Sequence, residues 1–337
     1  MLLLDAIYIN NSGGKILLDF LIAEFEKSDL EILYLLDSRI QKNHTAIKAS
    51  NRVTYSEGSL AKRHLFYKKH STLIDKVFCF GNLPPTYKLN VPVYTYFHQK
   101  LFLAIPKELP LKQKLMLLVK SKVFKMLRNN TQFWMVQTET VKKDFLDKFP
   151  DVKSENVLLM PFYPSYTDRQ VGIPKEKNSF VYVSNGSPHK NHLRLMEGFS
   201  NYYEKDPVGK LYVTIGKEFQ ALQTLIKYYQ SKGIPIVNVG FLEREALEQL
   251  YHKTEFLVFP SLTESFGLGL LEAMENECKI IGADLPYTHA VCKPSLVFNP
   301  FDIDSIANVF NDAINKNIKP TKQLVFNEID KLIQILK

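Results

Sequence analysis

Residues Phe256–Glu272 read FLVFPSLTESFGLGLLE. The apolar run Phe256–Phe259 has the length and composition of a buried strand, and a proline ends it. Pro260–Phe266 is polar and turn-like, and the pattern from Gly267 onward is helical. Strand, polar turn and helix in that order leave the N–H groups of the helix's first turn free to hold an anion. Two carboxylates, Glu264 and Glu272, flank the turn with seven residues between them.

The same order recurs upstream. Phe180–Ser184 is apolar and runs into Asn185–Asn191 (NGSPHKN), and a helical stretch follows. Lys190 therefore stands at a helix start, where a cation opposes the helix dipole at a cost of about a few tenths of a kcal/mol. An anion between Lys190 and the N–H groups removes that cost, so the two turns are expected to converge on one diphosphate. Leu268 and Glu272 are one helical turn apart and share a face. A carboxylate turned inward needs partners, and a ribose diol offers two hydroxyls. Glu264 lies nearer the helix start and is placed for the hydroxyls of a donor sugar. Ser265, Phe266 and Gly267 would offer backbone N–H groups to phosphates. Two glutamates also suit the acid/base pair of a glycosidase, but that chemistry has no use for two anion-ready turns and Lys190.

Strand-like runs at Lys210–Ile215, Pro235–Val239, Lys279–Ala283 and Leu296–Phe298 complete the second half. The first half has the same alternation. LLLDAIYI (2–9) is a near-continuous apolar run, as in a parallel strand covered on both faces. NNSGG (Asn10–Gly14) follows, then a helix expected over Lys15–Lys27. Gly13 and Gly14 would let backbone come close to a phosphate or sugar. Further strands are expected at Glu31–Leu36, Arg52–Tyr55, Lys76–Phe80, Val91–Phe97, Phe133–Gln137 and Asn156–Met160. His98 follows one of them. It is a candidate contact for a donor sugar or an attacking hydroxyl; a hydrogen-bonded loop histidine is the plainer alternative. Pro161–Ser179 has three prolines and no periodicity, the mark of a linker. The fold class expected is α/β: two doubly wound, Rossmann-like parallel-sheet domains facing across a cleft, residues 1–165 and 166–320. A helix over 321–337 is expected to pack back on the first domain.

The chain has 337 residues, 45% hydrophobic and 23% charged, with no apolar run long enough for a membrane span. Asp5 and the lack of a basic leader argue against a signal peptide at the N-terminus. Cys79, Cys278 and Cys292 are odd in number and sit in or beside apolar stretches, so reduced core thiols and a cytoplasmic location are expected. No Cys/His cluster has metal-ligand spacing.

Net charge is +8, and residues 1–165 hold 24 Lys+Arg against 15 Asp+Glu, while residues 166–337 hold 19 against 20. The excess in the first half suits an anionic partner or a merely solvated lysine-rich surface. Lys112–Arg128 (KQKLMLLVKSKVFKMLR) is a helix with six basic residues and no acid. Its apolar face is expected at Leu115, Leu118, Val119, Val123 and Met126. Such a helix either lies on an anionic membrane at the inner face of the cell membrane or packs on the core with a solvated basic face. A nucleic-acid partner is set aside, because the chain has no recognition motif and the basic helix lacks clustered aromatics.

These motifs resemble those of glycosyltransferase family 4, in particular bacterial surface-polysaccharide enzymes. The resemblance is carried by NNSGG after the first strand, PHKN at 188–191, VGF at 239–241 and PSLTESFGLGLLEAM at 260–274. Weaker matches are YFH at 96–98, VQTETV at 136–141 and NPFD at 299–302. It implies a GT-B fold and retaining, metal-independent transfer from a nucleoside diphosphate sugar to a saccharide or lipid-linked glycan. No further cofactor is implied. By resemblance Lys190 neutralises the leaving diphosphate and Glu264 positions the donor sugar. Ser265–Gly267 then lie at sugar and phosphate, Glu272 binds the ribose, and Val239, Gly240 and Phe241 lie by the base. Gly13 and Gly14 approach the diphosphate, and His98 touches the sugar. The implied mechanism is front-face attack on the side the diphosphate leaves. Two departures stand out: Asn185 where relatives carry arginine, and Ala290 where many carry glutamate. They leave open a catalytically impaired sugar-nucleotide binding protein of the same fold.

Overall fold

The structure is a computed structural model that describes residues 1–105, 109–166 and 174–337. The chain divides into two compact units. The first comprises Met1–Ile105, Pro110–Pro164 and Phe326–Lys337, and the second is built on Ser165–Val325. The linker expected over Pro161–Ser179 falls partly on residues 167–173, which lie outside the described residues.

In the first unit, strands β1 (Leu2–Ala6), β2 (Ile32–Asp37), β3 (Arg52–Ser56), β4 (Lys76–Cys79), β5 (Val93–Phe97), β6 (Phe133–Val136) and β7 (Val157–Leu159) form one sheet. Its order is β3-β2-β1-β4-β5-β6-β7, and every pairing is parallel. Leu2 pairs with Ile32 on one side and Lys76 on the other. Helices α1 (Ser12–Lys27), α2 (Leu60–His70), α3 (Leu111–Leu127) and α4 (Glu139–Lys148) connect the strands. β1 and β2 are buried along their length, which explains sequences that are apolar but for Asp5 and the terminal Asp37.

The buried exception in β1 is Asp5, whose carboxylate accepts from Arg63 Nε and from Tyr67 Oη, both at 2.6 Å. The remaining Arg63 nitrogens donate to the carbonyls of Pro84 and Leu83 at 2.6 and 2.8 Å. An ion pair this deeply buried is tolerable only because these bonds satisfy it.

Two sequence expectations in this unit are corrected. α1 starts at Ser12, so Gly13 and Gly14 form its first turn and are not a separate loop before it. Lys15 N–H donates to the Asn11 carbonyl at 3.2 Å, closing that turn around the glycines. α3 is seated by Leu117, Phe124 and Leu127, not by the face expected. Phe124 enters an aromatic cluster with Phe97, Trp134, Phe145 and Phe149. Leu115, Leu118, Val119 and Met126 point outward.

The second unit carries β8 (Glu176–Tyr182), β9 (Lys210–Val213), β10 (Ile236–Asn238), β11 (Thr254–Phe259), β12 (Lys279–Ala283), β13 (Cys292–Lys293), β14 (Leu296–Phe298) and β15 (Lys322–Gln323). Six of them form a parallel sheet in the order β10-β9-β8-β11-β12-β14. β13 and β15 make a separate antiparallel pair. Helices α5 (His192–Tyr203), α6 (Gln220–Ser231), α7 (Arg244–Lys253), α8 (Leu268–Glu275), α9 (Pro286–Val291) and α10 (Ile303–Asn315) complete it. β8 begins inside the stretch expected as linker. Its polar start is held by Glu176, which pairs with Lys210 at 2.9 Å and accepts from Tyr212 Oη at 2.7 Å.

The helix expected over 321–337 is also shorter. Lys322–Gln323 pair as β15, and the helix, α11 (Ile329–Leu336), belongs to the first unit. There Ile329, Leu332 and Leu336 are buried, and Lys76 Nζ donates to the Ile335 carbonyl at 3.0 Å. Cys79, Cys278 and Cys292 are buried free thiols. Among the described residues, no helix is long and apolar enough to cross a membrane.

Candidate active site

In a doubly wound sheet, ligands bind where the strand order reverses, at the C-terminal ends of the two strands that flank the reversal. In the second unit these strands are β8 and β11, paired Phe180 to Phe256. The loops that follow them are Val183–Asn191 and Pro260–Gly267, the two anion-ready turns of the sequence.

The loops are tied together. Tyr182 Oη donates to the Lys190 carbonyl at 2.9 Å and lies 3.0 Å from Ser261 Oγ. Leu262 N–H donates to the His189 carbonyl at 2.8 Å. Asn191 takes a left-handed backbone with φ of 62° and caps α5. Its Nδ2 donates to the carbonyls of Pro260 and Pro300, at 3.2 and 2.7 Å. This explains the asparagine of PHKN as a clamp. Lys190 ends a 3-10 turn, Pro188–Lys190, and does not lie within the helix. Its Nζ reaches Glu264 Oε1 at 2.6 Å, with both side chains largely buried. The two residues singled out on separate turns are therefore direct partners.

Gly267 caps α8 with φ of 78° and ψ of 51°, a conformation that costs an L-residue roughly 1–2 kcal/mol. It lets the chain turn from Phe266, which is buried, straight into α8. Glu272 lies one turn into the helix and is only 5% exposed. Among the described residues its nearest side-chain donors are distant: Tyr251 Oη at 3.4 Å and Arg244 Nη1 at 3.9 Å. Burial pushes the Glu272 carboxyl up to about 7, with Arg244 working against the shift. Arg244 also stacks on the Tyr166 ring at 4.3 Å. Arg244, Tyr166 and Tyr251 carry no motif signal in the sequence; only the fold brings them to Glu272.

The remaining candidates in this unit are placed as follows. Asn185 is exposed, and its Oδ1 accepts from Ser187 N–H at 3.1 Å, so it closes a turn. Val239 N–H donates to the Val213 carbonyl, Gly240 has φ of 72°, and Phe241 follows with 78% of its surface exposed. Ser265 lies in the loop between Glu264 and Phe266. Neither histidine of the lysine loop supplies the charge that an arginine at 185 would bring. Burial lowers His192 to about 3 and lowers His189 as well, so both rings are neutral at pH 7. Arg194 Nη1 donates to Asn191 Oδ1 at 3.0 Å and so supports the clamp. Ala290 lies in α9.

In the first unit the order reverses between β1 and β4. Gly13 and Gly14 follow β1 there. His98 follows β5; its N–H donates to Asn82 Oδ1 at 2.7 Å and its ring meets Phe80 edge-on at 4.9 Å. Burial lowers its pKa to about 4, so the ring is neutral at pH 7.

Residues 166–327 match the family model of glycosyl transferases group 1, slightly under half of the chain. Over 170 residues the chain is 30% identical to the O-antigen chain mannosyltransferase RfbU of Salmonella typhimurium, covering 48% of this chain and 45% of that protein. Over 132 residues it is 28% identical to the serotype-specific mannosyltransferase WbdA of Escherichia coli, covering 38% of this chain and 16% of WbdA. The chain thus spans less than half the length of these curated relatives. Among solved structures, Anabaena HepE in complex with UDP and glucose superposes with a TM-score of 0.65 at 14% identity, covering 93% of this chain and 89% of that one. The lipopolysaccharide outer core galactosyltransferase WaaB gives 0.61 at 16% identity, covering 94% and 91%. Residues 166–327 therefore resemble the glycosyl transferases group 1, and the chain as a whole has the GT-B fold.

Proposed function

We propose that the protein is a retaining glycosyltransferase of bacterial surface-polysaccharide synthesis. It moves a sugar from a nucleoside diphosphate sugar to a hydroxyl of a saccharide or lipid-linked glycan. The observation that carries this reading is the Lys190–Glu264 pair, on the two loops at the strand reversal of one sheet, with the buried Glu272 in the helix that the second loop leads into. A buried carboxylate whose side-chain donors among the described residues are distant is suited to accept two hydroxyls of a ribose. Lys190 then trades part of its contact with Glu264 for the diphosphate, and Glu264 is freed to accept from donor-sugar hydroxyls. As the sugar–phosphate bond breaks, negative charge grows on the leaving oxygen. A fixed cation there is worth about 10²–10³ in rate. Backbone N–H groups at Ser265–Gly267 add to this stabilisation. Lys190 supplies the positive charge, so the proposed reaction needs no resident metal or other cofactor.

Phe241 and the loop Val239–Gly240 are assigned to the base. Gly13, Gly14 and His98 keep the roles implied by resemblance, and neutral His98 serves as a hydrogen-bonding group. The similarity to two mannosyltransferases and the UDP held by HepE support a nucleotide sugar as donor.

The test is transfer from a panel of nucleoside diphosphate sugars to a lipid-linked saccharide, with the anomer of the product read by NMR. Retention of the donor's anomeric configuration, unaffected by EDTA, is expected. An inverted product, or transfer undiminished in Lys190→Ala, overturns the reading. The absence of a second cation at Asn185 favours one alternative, a protein that binds the donor without turnover. Donor binding without transfer or donor hydrolysis would select it.

A further inference from the structure

We infer that helix α3 is a docking surface for a bilayer containing anionic phospholipid, entered by its apolar side chains as well as its lysines. A soluble helix ordinarily turns its apolar stripe to the core. α3 does this with only Leu117, Phe124 and Leu127. A second stripe runs along the opposite side. Leu111, Leu115, Leu118, Val119 and Met126 are 73, 56, 55, 65 and 70% exposed. At helical spacing these five share an arc of roughly 100°. Lys122 lies within the same arc, Lys112 borders it on one side, and Lys114 and Lys125 border it on the other.

The charge of the helix decides the occupant. Residues 111–127 contain five lysines and no acid, and the first half of the chain carries the whole basic excess. A protein partner that buried the stripe would also bury several of those lysines, and each would need its own acid. A leaflet with anionic headgroups meets the requirement without specific pairing. The leucines enter the headgroup–acyl boundary while the lysine stems reach outward to phosphates. The 17-residue helix is about 25 Å long, enough to lie flat across several lipids.

The test is co-sedimentation of the full chain with vesicles, either phosphatidylcholine alone or three parts phosphatidylcholine to one part phosphatidylglycerol. Two variants are compared: Lys112→Glu/Lys122→Glu/Lys125→Glu, and Leu115→Ser/Leu118→Ser/Val119→Ser. These positions are exposed or border the solvent, so both variants should keep the parent's circular dichroism and melting temperature. Each lysine near an anionic surface contributes about fivefold in partition. The parent should bind the anionic vesicles at least tenfold more tightly than the neutral ones. Each variant should lose at least tenfold, and 0.5 M salt should release most of the parent. Equal binding to both vesicle types overturns the inference, as does full binding by the serine variant. A concentration-dependent dimer that the serine variant abolishes would assign the stripe to a second copy and also overturn it. Donor binding in solution is read separately and does not depend on this result.

Discussion

Replacing Glu272 with glutamine should make the protein more stable and a poorer binder at once. The carboxylate is buried, and its side-chain donors among the described residues lie at 3.4 and 3.9 Å, too far to repay its desolvation. Burial moves its pKa from 4.5 to about 7. The folded state therefore holds this proton more tightly than the unfolded chain. Between these two values the folded state binds more protons, so stability falls as pH rises through that window. At pH 8 the charged carboxylate costs the fold at most about 3 kcal/mol relative to a neutral side chain. A unit of this size gains roughly 2–4 °C per kcal/mol. Glu272→Gln keeps the shape and removes the charge, so its melting temperature should exceed the parent's by several degrees at pH 8. The difference should shrink to about a quarter of that near pH 5 and vanish only below about pH 4. If Glu272 grips a ribose, exchanging a charged acceptor for a neutral one should weaken nucleoside diphosphate binding about 10- to 100-fold. The assays are thermal unfolding at pH 5, 6.5 and 8 and calorimetric titration with the nucleotide. A variant less stable than the parent at pH 8 refutes the reasoning about burial. A variant that gains stability but binds as tightly as the parent refutes the ribose role.

Other perturbations test the remaining parts. Lys190→Ala should lower turnover by about 10²–10³. It also strands Glu264, so adding Glu264→Gln should restore lost stability without restoring turnover, read by melting temperature and product formation. Gly267→Ala should cost roughly 1–2 kcal/mol from its positive φ, seen as a lower urea midpoint. Its new Cβ would also press on Leu270 Cδ1 at 3.0 Å. Arg63→Met leaves Asp5 charged and buried, and should destabilise the first unit by about 3–5 kcal/mol; Asp5→Asn in the same chain should recover much of that.

The strand–helix alternation was legible because parallel strands covered on both faces are apolar nearly throughout, as β1 and β2 are but for Asp5 and Asp37. Boundaries were less so. The glycines of NNSGG read as a loop, yet the bond from Lys15 N–H to the Asn11 carbonyl draws them into α1. On α3 the apolar residues are numerous enough to define two stripes. Periodicity favoured the larger one, while the aromatic pocket around Phe124 claimed the other. For the site, residue types and local turns were readable, but partnerships were not. Lys190 and Glu264 are 74 residues apart, and they meet only because β8 and β11 are neighbours in the sheet. Arg244 and Tyr251 come to Glu272 from α7, and Arg63 comes to Asp5 from α2; no local pattern marks any of them. Asp5 itself was conspicuous as a charge within an apolar run, and its buried partner supplies the reason.

The central claim is that Lys190, Glu264 and Glu272 form a site for a nucleoside diphosphate sugar. The most direct measurement is a thermal-shift titration of the parent and Lys190→Ala with UDP-, GDP- and ADP-sugars. A ligand bound only by the folded state raises the melting temperature in proportion to the logarithm of its concentration above Kd. At least one of these donors should do so for the parent, and the shift should be lost in Lys190→Ala. No shift with any donor, or an equal shift in the variant, contradicts the account.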